Sequence, residues 1–260
     1  MIKLIIDRAT QPQRHGENHY VLPPHVVLVV LHDGTGRLVD LGGNFYALSQ
    51  TAVAMLCQSL QTDPSTVARA VTATHHADLP QVERDLTAFL HDLERRELLY
   101  SAHQRRRARP PKFALSSHVL RRSLHIIRTS GFSLQKKSWT IQLLAYFSLR
   151  LHGWPTTVRT WQCSSRQLPT RATGSSRDRA AREIDGVTRA VAAHHWLPIE
   201  CKERALCCWV LGRWAGLPVK LIVGIDPWPL TSHCWCELDD VVMTDPQDTC
   251  DRFTPVATYD

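Results

Sequence analysis

Residues 101–112, with the sequence SAHQRRRARPPK, set the strongest limit on how this chain folds. Clustered arginines repel one another and stay hydrated, and two adjacent prolines end any helix that reaches them. Such a segment reads as an exposed, semi-stiff linker. It divides the 260 residues into an N-terminal unit, 1–100, and a C-terminal unit, 115–260, joined by 101–114. Each unit is long enough to bury a core of its own. A hydrophobic content of 43% supplies that core and argues against wholesale disorder.

The N-terminal unit reads as three strands followed by three helices. Residues 26–31, VVLVVL, form the first strand, and His32 to Gly36 a tight turn. Arg37 to Leu41 is the second strand, Gly42-Gly43-Asn44 a turn, and Phe45 to Leu48 the third. Ser49 caps a helix through Ala52, Val53, Leu56 and Leu60. Asp63-Pro64 pairs an N-cap with proline at the first helical position. A third helix begins near Leu79-Pro80, with Val82, Leu86, Phe89, Leu90 and Leu93 on one apolar stripe. The order βββααα leaves the third strand with an unpaired edge, to which an extended peptide can add.

The C-terminal unit begins with two helical pieces between Leu115 and Leu151, broken near Ser130-Gly131, the second apolar enough to be largely buried. Residues 168–176 read as a loop and 178–194 as a helix. Another helix starts at Cys201 and stops at Gly216-Leu217-Pro218. Cys201 therefore sits in a first turn, where unpaired N–H groups and the helix dipole favour a thiolate and can receive an oxyanion. Val219 to Ile225 is an apolar strand, 226–229 a loop, and Ser232 to Leu238 a strand. Asp239-Asp240 turns the chain, and Val241 to Asp245 returns it. Folding about residue 239 sets Asp245 opposite His233, close enough for a carboxylate to orient an imidazole. Cys201, His233 and Asp245 thus form a candidate nucleophile, base and orienter. Any one of them alone is ordinary core or turn chemistry; the three in this order indicate catalysis.

Several function classes fall away. No apolar run approaches the roughly 20 residues of a membrane span, and no membrane partner is expected. The N-terminus lacks the apolar stretch of a secretory signal, so the eight cysteines read as reduced thiols in the cytoplasm. Strand parity sends Cys234 and Cys236 to the face opposite His233, which argues against a zinc site there. The net charge of +7 invites nucleic acid, but the Arg-rich stretches carry no interleaved aromatics, and nucleic acid is not expected as a partner.

The segment from Cys201 to Pro246 resembles the transglutaminase-like (papain-like) leader peptidases of lasso peptide biosynthesis. The resemblance rests on Cys201 with Arg204, Ala215-Gly216 through Gly224, Pro227 and Pro229, His233-Cys-Trp235-Cys-Glu237 and Asp245. It is close over the last 60 or so residues and loose over 115–200. Two departures stand out: Cys234 and Cys236 replace smaller or apolar residues, and Lys202-Glu203 replaces a more apolar pair, a change expected to bear on substrate fit. The stretches VVLVVLHDGTGRLVDLGGNFYALS, DPSTVARAV and VERDLTAFLHDLERRELL resemble the PqqD-like, winged-helix-like recognition element that binds precursors of ribosomally made, modified peptides.

Together these resemblances imply an α+β protein of the fused lasso B type. One unit binds the leader of a precursor peptide; the other cuts leader from core through a thioester on Cys201, with His233 as base and acid and Asp245 as orienter. The implied leader contacts are Phe45, Tyr46, Ala47 and Leu48 on the edge strand, with Val82, Leu86, Phe89 and Leu93 on the last helix. The released core would pass to an ATP-dependent, asparagine-synthetase-like lactam synthetase. No metal or organic cofactor is required. Transglutaminase-type acyl transfer through the same thioester, and a non-catalytic peptide- or DNA-binding scaffold, stay open on sequence alone.

Overall fold

A computed structural model describes residues 2–6, 20–101, 114–165 and 174–260. The expected linker lies outside these residues apart from its ends, as does most of the loop expected at 168–176. The chain divides into two compact units, Met1–Lys112 and Phe113–Asp260.

The first unit contains β1 (Ile2–Ile6), β2 (Tyr20–Val21), β3 (Val26–Leu31), β4 (Gly36–Asp40) and β5 (Asn44–Leu48). Helices α1 (Gln50–Ser59), α2 (Pro64–His75) and α3 (Leu79–Arg95) follow, then β6 (Tyr100–Ser101). The main sheet runs β1-β3-β4-β5, all antiparallel, so it is one strand wider than expected. No tight turn links β1 to β3, so hairpin signals do not reach it. The added strand lies at the far side, and β5 keeps its outer edge unpaired among the described residues. β2 and β6 pair as a short ladder that joins the segment before β3 to the segment after α3.

The caps act as the side-chain chemistry dictates. Ser49 Oγ accepts from Ala52 N, and Asp63 Oδ1 accepts from Ser65 N and Thr66 N. Leu28, Leu38, Leu56, Leu86, Leu90 and Leu99 are the centre of the core between sheet and helices. All six are at most 2% exposed, so each contributes its full apolar burial.

The second unit begins with α4 (Ala114–Thr129) and α5 (Leu134–Ser164). The break near Ser130-Gly131 is where expected, but α5 runs on past Leu151. Gly153, at φ 70° and ψ 172°, is non-helical, so this span is two helical stretches that meet at a kink just past the expected end at Leu151, with Pro155 in the first turn of the second. Next come α6 (Gly174–Ala193), α7 (Cys201–Trp214), β7 (Lys220–Pro227), β8 (Leu230–Leu238), β9 (Val241–Met243), α8 (Gln247–Cys250) and β10 (Thr254–Tyr259). The sheet order is β10-β7-β8-β9, all antiparallel. β7 extends through Pro227, which shrinks the loop expected at 226–229 to Trp228-Pro229.

Residues 205–210 of α7 are fully buried on every side. A helix without a polar face is a central one, and α5, α6 and β8 all pack on it. Cys236 Sγ donates to Ala205 O at 3.1 Å, and Trp154 Nε1 to Tyr259 Oη at 3.2 Å, tying helices to sheet. Among the described residues no helix is long and apolar enough to cross a membrane.

Candidate active site

Cys201 is the first residue of α7 and is partly exposed. The helix start is fixed by Glu203, whose Oε2 accepts from Glu200 N at 3.1 Å. Glu203 is 3% exposed, and its Oε1 holds Arg150 Nη1 at 2.8 Å. It therefore anchors the first turn of α7, which carries Cys201, from inside.

His233 lies mid-strand on β8, paired with Gly224 of β7. Its ring stacks on Phe253 at 5.1 Å and on Trp235 at 6.1 Å between centroids. Trp235 is itself held by its Nε1 donating to Glu237 Oε1 at 2.8 Å. Glycine at 224 is required by this stack: a Cβ there would sit 2.6 Å from the Trp235 ring and 2.8 Å from Phe253 Cβ. Cys234 and Cys236 point to the opposite face, towards α7, and are fully buried. Burial raises both thiols well above the ordinary range, and it pushes Cys207 and Cys250 up to about 12. Among the described residues, no three His, Cys, Asp or Glu side chains cluster as a metal site.

Asp245 reaches His233 by a route different from the expected one. The β8–β9 ladder pairs Leu238 with Val241, Glu237 with Val242 and Cys236 with Met243. Its turn has two residues, Asp239 and Asp240, at φ 50° and 64°. Folding is thus centred between them rather than on 239, and an ideal strand would place residue 245 opposite Cys234, on the wrong face. The strand instead stops at Met243, and Thr244 takes φ 77°, a conformation disfavoured for a β-branched residue. Thr244 N donates to Asp185 Oδ1 of α6 at 2.6 Å, which holds the turn. That turn redirects the next side chain, so Asp245 Oδ2 lies 3.3 Å from His233 Nε2. The two atoms are at ion-pair distance without the alignment of a hydrogen bond. Asp245 Oδ1 accepts from Arg204 Nη2 at 2.6 Å, so the carboxylate is clamped between a guanidinium and the imidazole.

The electrostatics follow from this clamp. Burial is the largest single influence on His233 and opposes its charged form. The Asp245 carboxylate and the Cys201 thiol, which lies within hydrogen-bonding reach of the ring, together outweigh it and push the imidazole up to about 9. Burial likewise opposes the Asp245 carboxylate, but His233 and Arg204 hold it below the usual range. A cavity of about 270 Å³ lies beside Asp245, walled by Ala192, Ala193, Ile199 and Pro246 with Arg189 and Arg204.

Arg204 entered the sequence reading only as part of a motif, although its place one turn after Cys201 already put it beside the thiol. Asp185 and Phe253 carried no local signal. Both come from elements whose position depends on the tertiary fold.

The candidate leader contacts of the first unit separate into two groups. Val82, Leu86, Leu93 and Leu48 belong to the core, at 1–7% exposed. Tyr46 and Phe89 are half-buried beside that core, and Arg96 lies over the Tyr46 ring at 5.8 Å. Phe45 is half-buried and Ala47 exposed, on the opposite face of the edge strand.

Residues 143–258 match the family model described as the transglutaminase-like superfamily, a span that includes Cys201, His233 and Asp245. Residues 27–99 match the family model described as coenzyme PQQ synthesis protein D (PqqD). No curated protein and no solved structure gives a significant match. The chain therefore carries a PqqD-like region over residues 27–99 followed by a transglutaminase-like region over residues 143–258.

Proposed function

We propose that this protein binds the leader of a lasso precursor peptide on its first unit and cuts leader from core on its second. The observation that carries the proposal is the meeting of Cys201, His233 and Asp245 at the start of α7, with Arg204 fixing the carboxylate.

With Nε2 turned to Asp245, the other ring nitrogen of His233 is left for Cys201. The surroundings of His233 push it up to about 9, which favours a protonated ring beside the Cys201 sulfur. Cys201 Sγ attacks the carbonyl carbon at the leader–core junction, and first-turn N–H groups of α7 face the developing oxyanion. His233 gives its proton to the departing core amine as the C–N bond breaks, leaving the leader as a thioester. Water then loses a proton to His233 and attacks the thioester; the C–S bond breaks, freeing the leader acid and leaving the Cys201 sulfur beside the reprotonated ring. Asp245 stabilises the imidazolium at each stage.

The edge of β5 supports the binding half. A leader strand added there would gain main-chain hydrogen bonds, with Phe45, Tyr46, Ala47 and Phe89 as accessible contacts and Val82, Leu86, Leu48 and Leu93 shaping the surface from beneath. Binding on one unit raises the effective concentration of the scissile bond at the other.

The test is incubation of the full chain with its precursor peptide, read by mass spectrometry. Wild type is expected to release leader and core, and Cys201→Ala to release neither. Cleavage by Cys201→Ala removes the catalytic assignment. Loss of ammonia with no chain cleavage assigns the site to acyl transfer onto an amine instead.

A further inference from the structure

We infer that the α4–α5 hairpin is a docking face for an anionic lipid bilayer, on which the protein lies peripherally. From residue 114 to 165 the chain holds seven Lys and Arg and no Asp or Glu. That one hairpin equals the entire net charge of +7, so the rest of the chain is balanced. Among the described residues no carboxylate pairs with Arg121, Arg122, Arg128 or Lys136.

The same hairpin turns large apolar side chains outward. On α5, Lys136 and Phe147 are exposed on one helical face, with Leu143 half-buried between them and Trp139 stacked on His195 at 4.9 Å, opposite the buried Ile141, Ala145 and Ser148. Val119 and Ile126 stand one above the other on α4, 65% and 57% exposed, and Phe132 at the hairpin tip is 51% exposed. Lys137 Nζ donates to Arg128 O at 3.2 Å, which fixes the two helices side by side at that tip. An exposed apolar surface of this kind is a binding surface in soluble proteins.

Charge and apolarity together select the occupant. A second copy would present the same unbalanced positive face and be repelled. Nucleic-acid phosphates would answer the charge but give nothing to Val119, Ile126 and Phe132. A protein partner would need one-signed acidity across the whole area, whereas an anionic leaflet is one-signed by nature and accepts apolar side chains beneath its headgroups. The hairpin would lie on the surface, not span it. The expectation of no membrane partner rested on spanning segments alone and did not address a peripheral contact. It is independent of the catalytic reading.

The experiment is vesicle co-sedimentation of the full chain. One set of vesicles is phosphatidylcholine, and the other phosphatidylcholine with one quarter phosphatidylglycerol. Preferential sedimentation with the anionic vesicles at about 0.1 M salt, lost at about 1 M, is expected. Arg122→Glu and Lys136→Glu should each weaken it by about fivefold or more. Val119→Ser with Ile126→Ser, exposed positions that leave folding intact by circular dichroism, should weaken it at constant charge. Absence of sedimentation overturns the proposal, as does equal sedimentation with both vesicle types. Binding unchanged in all variants places the lipid contact elsewhere and overturns it too. Retention on duplex DNA without vesicle binding reassigns the face to nucleic acid.

Discussion

Asp245→Asn preserves the shape of the orienter and removes its charge, so it isolates the electrostatics of the site. Its surroundings push His233 up to about 9, against an ordinary imidazole value of about 6.5. That difference corresponds to about 3 kcal/mol favouring the protonated ring. Burial works against the charge, so Asp245 and Cys201 together must supply more than that difference. His233 is 14% exposed on its side chain, and solvent screening is correspondingly small. Without the carboxylate the midpoint should fall towards the ordinary range. The stability consequence has a definite sign: the folded ring keeps its proton up to about 9 while the unfolded ring loses it near 6.5. The stabilisation is therefore full below about pH 6.5 and is lost as pH rises through about 9. Histidine NMR titration, with the His233 resonance identified by its disappearance in His233→Gln, measures the midpoint. Urea unfolding at several pH values measures the linked stability. A midpoint still near 9 in Asp245→Asn would refute the account of the clamp.

Further outcomes follow in both units. Arg204→Gln should leave Asp245 without its guanidinium, costing about 2–3 kcal/mol and lowering kcat more than it raises KM in the peptide-cleavage assay. Gly224→Ala should force a Cβ into the Trp235 ring, destabilise by about 1–3 kcal/mol and alter the His233 resonance; a silent substitution would show that the stack is loose. Asp185→Ala should free the Thr244 N–H, at a cost of about 1–2 kcal/mol, and lower cleavage although residue 185 is remote from the thiol in sequence. In the first unit, Phe45→Asp should weaken leader binding, measured by fluorescence anisotropy, by roughly tenfold with unchanged unfolding. Leu86→Ala should instead lower stability by about 2–5 kcal/mol.

The parts of the fold that were legible are those governed by short-range rules. Ser49 and Asp63 cap helices because their side chains accept from N–H groups two or three residues on. Parity on β8 separates His233 and Trp235 from Cys234 and Cys236 because successive strand residues face opposite ways. β1 and β10 were not legible, since each pairs with a strand to which no tight turn connects it. The buried part of the α3 stripe was also ambiguous. One apolar periodicity serves core and binding surface alike, and only packing assigns Leu86 to the first and leaves Phe89 half-open.

The sequence by itself determined that a cysteine begins a helix, that a histidine lies on a strand, and that an aspartate follows a hairpin soon after. Only the tertiary structure decided how they meet. A two-residue turn shifts the register by half a step from the symmetric fold about residue 239, which in a continued strand would turn Asp245 away from His233. The left-handed backbone at Thr244, held by Asp185 from a helix about sixty residues earlier in the chain, reverses that direction. Turn length and a long-range hydrogen bond set which way a side chain points, and neither is written in the residues adjacent to Asp245.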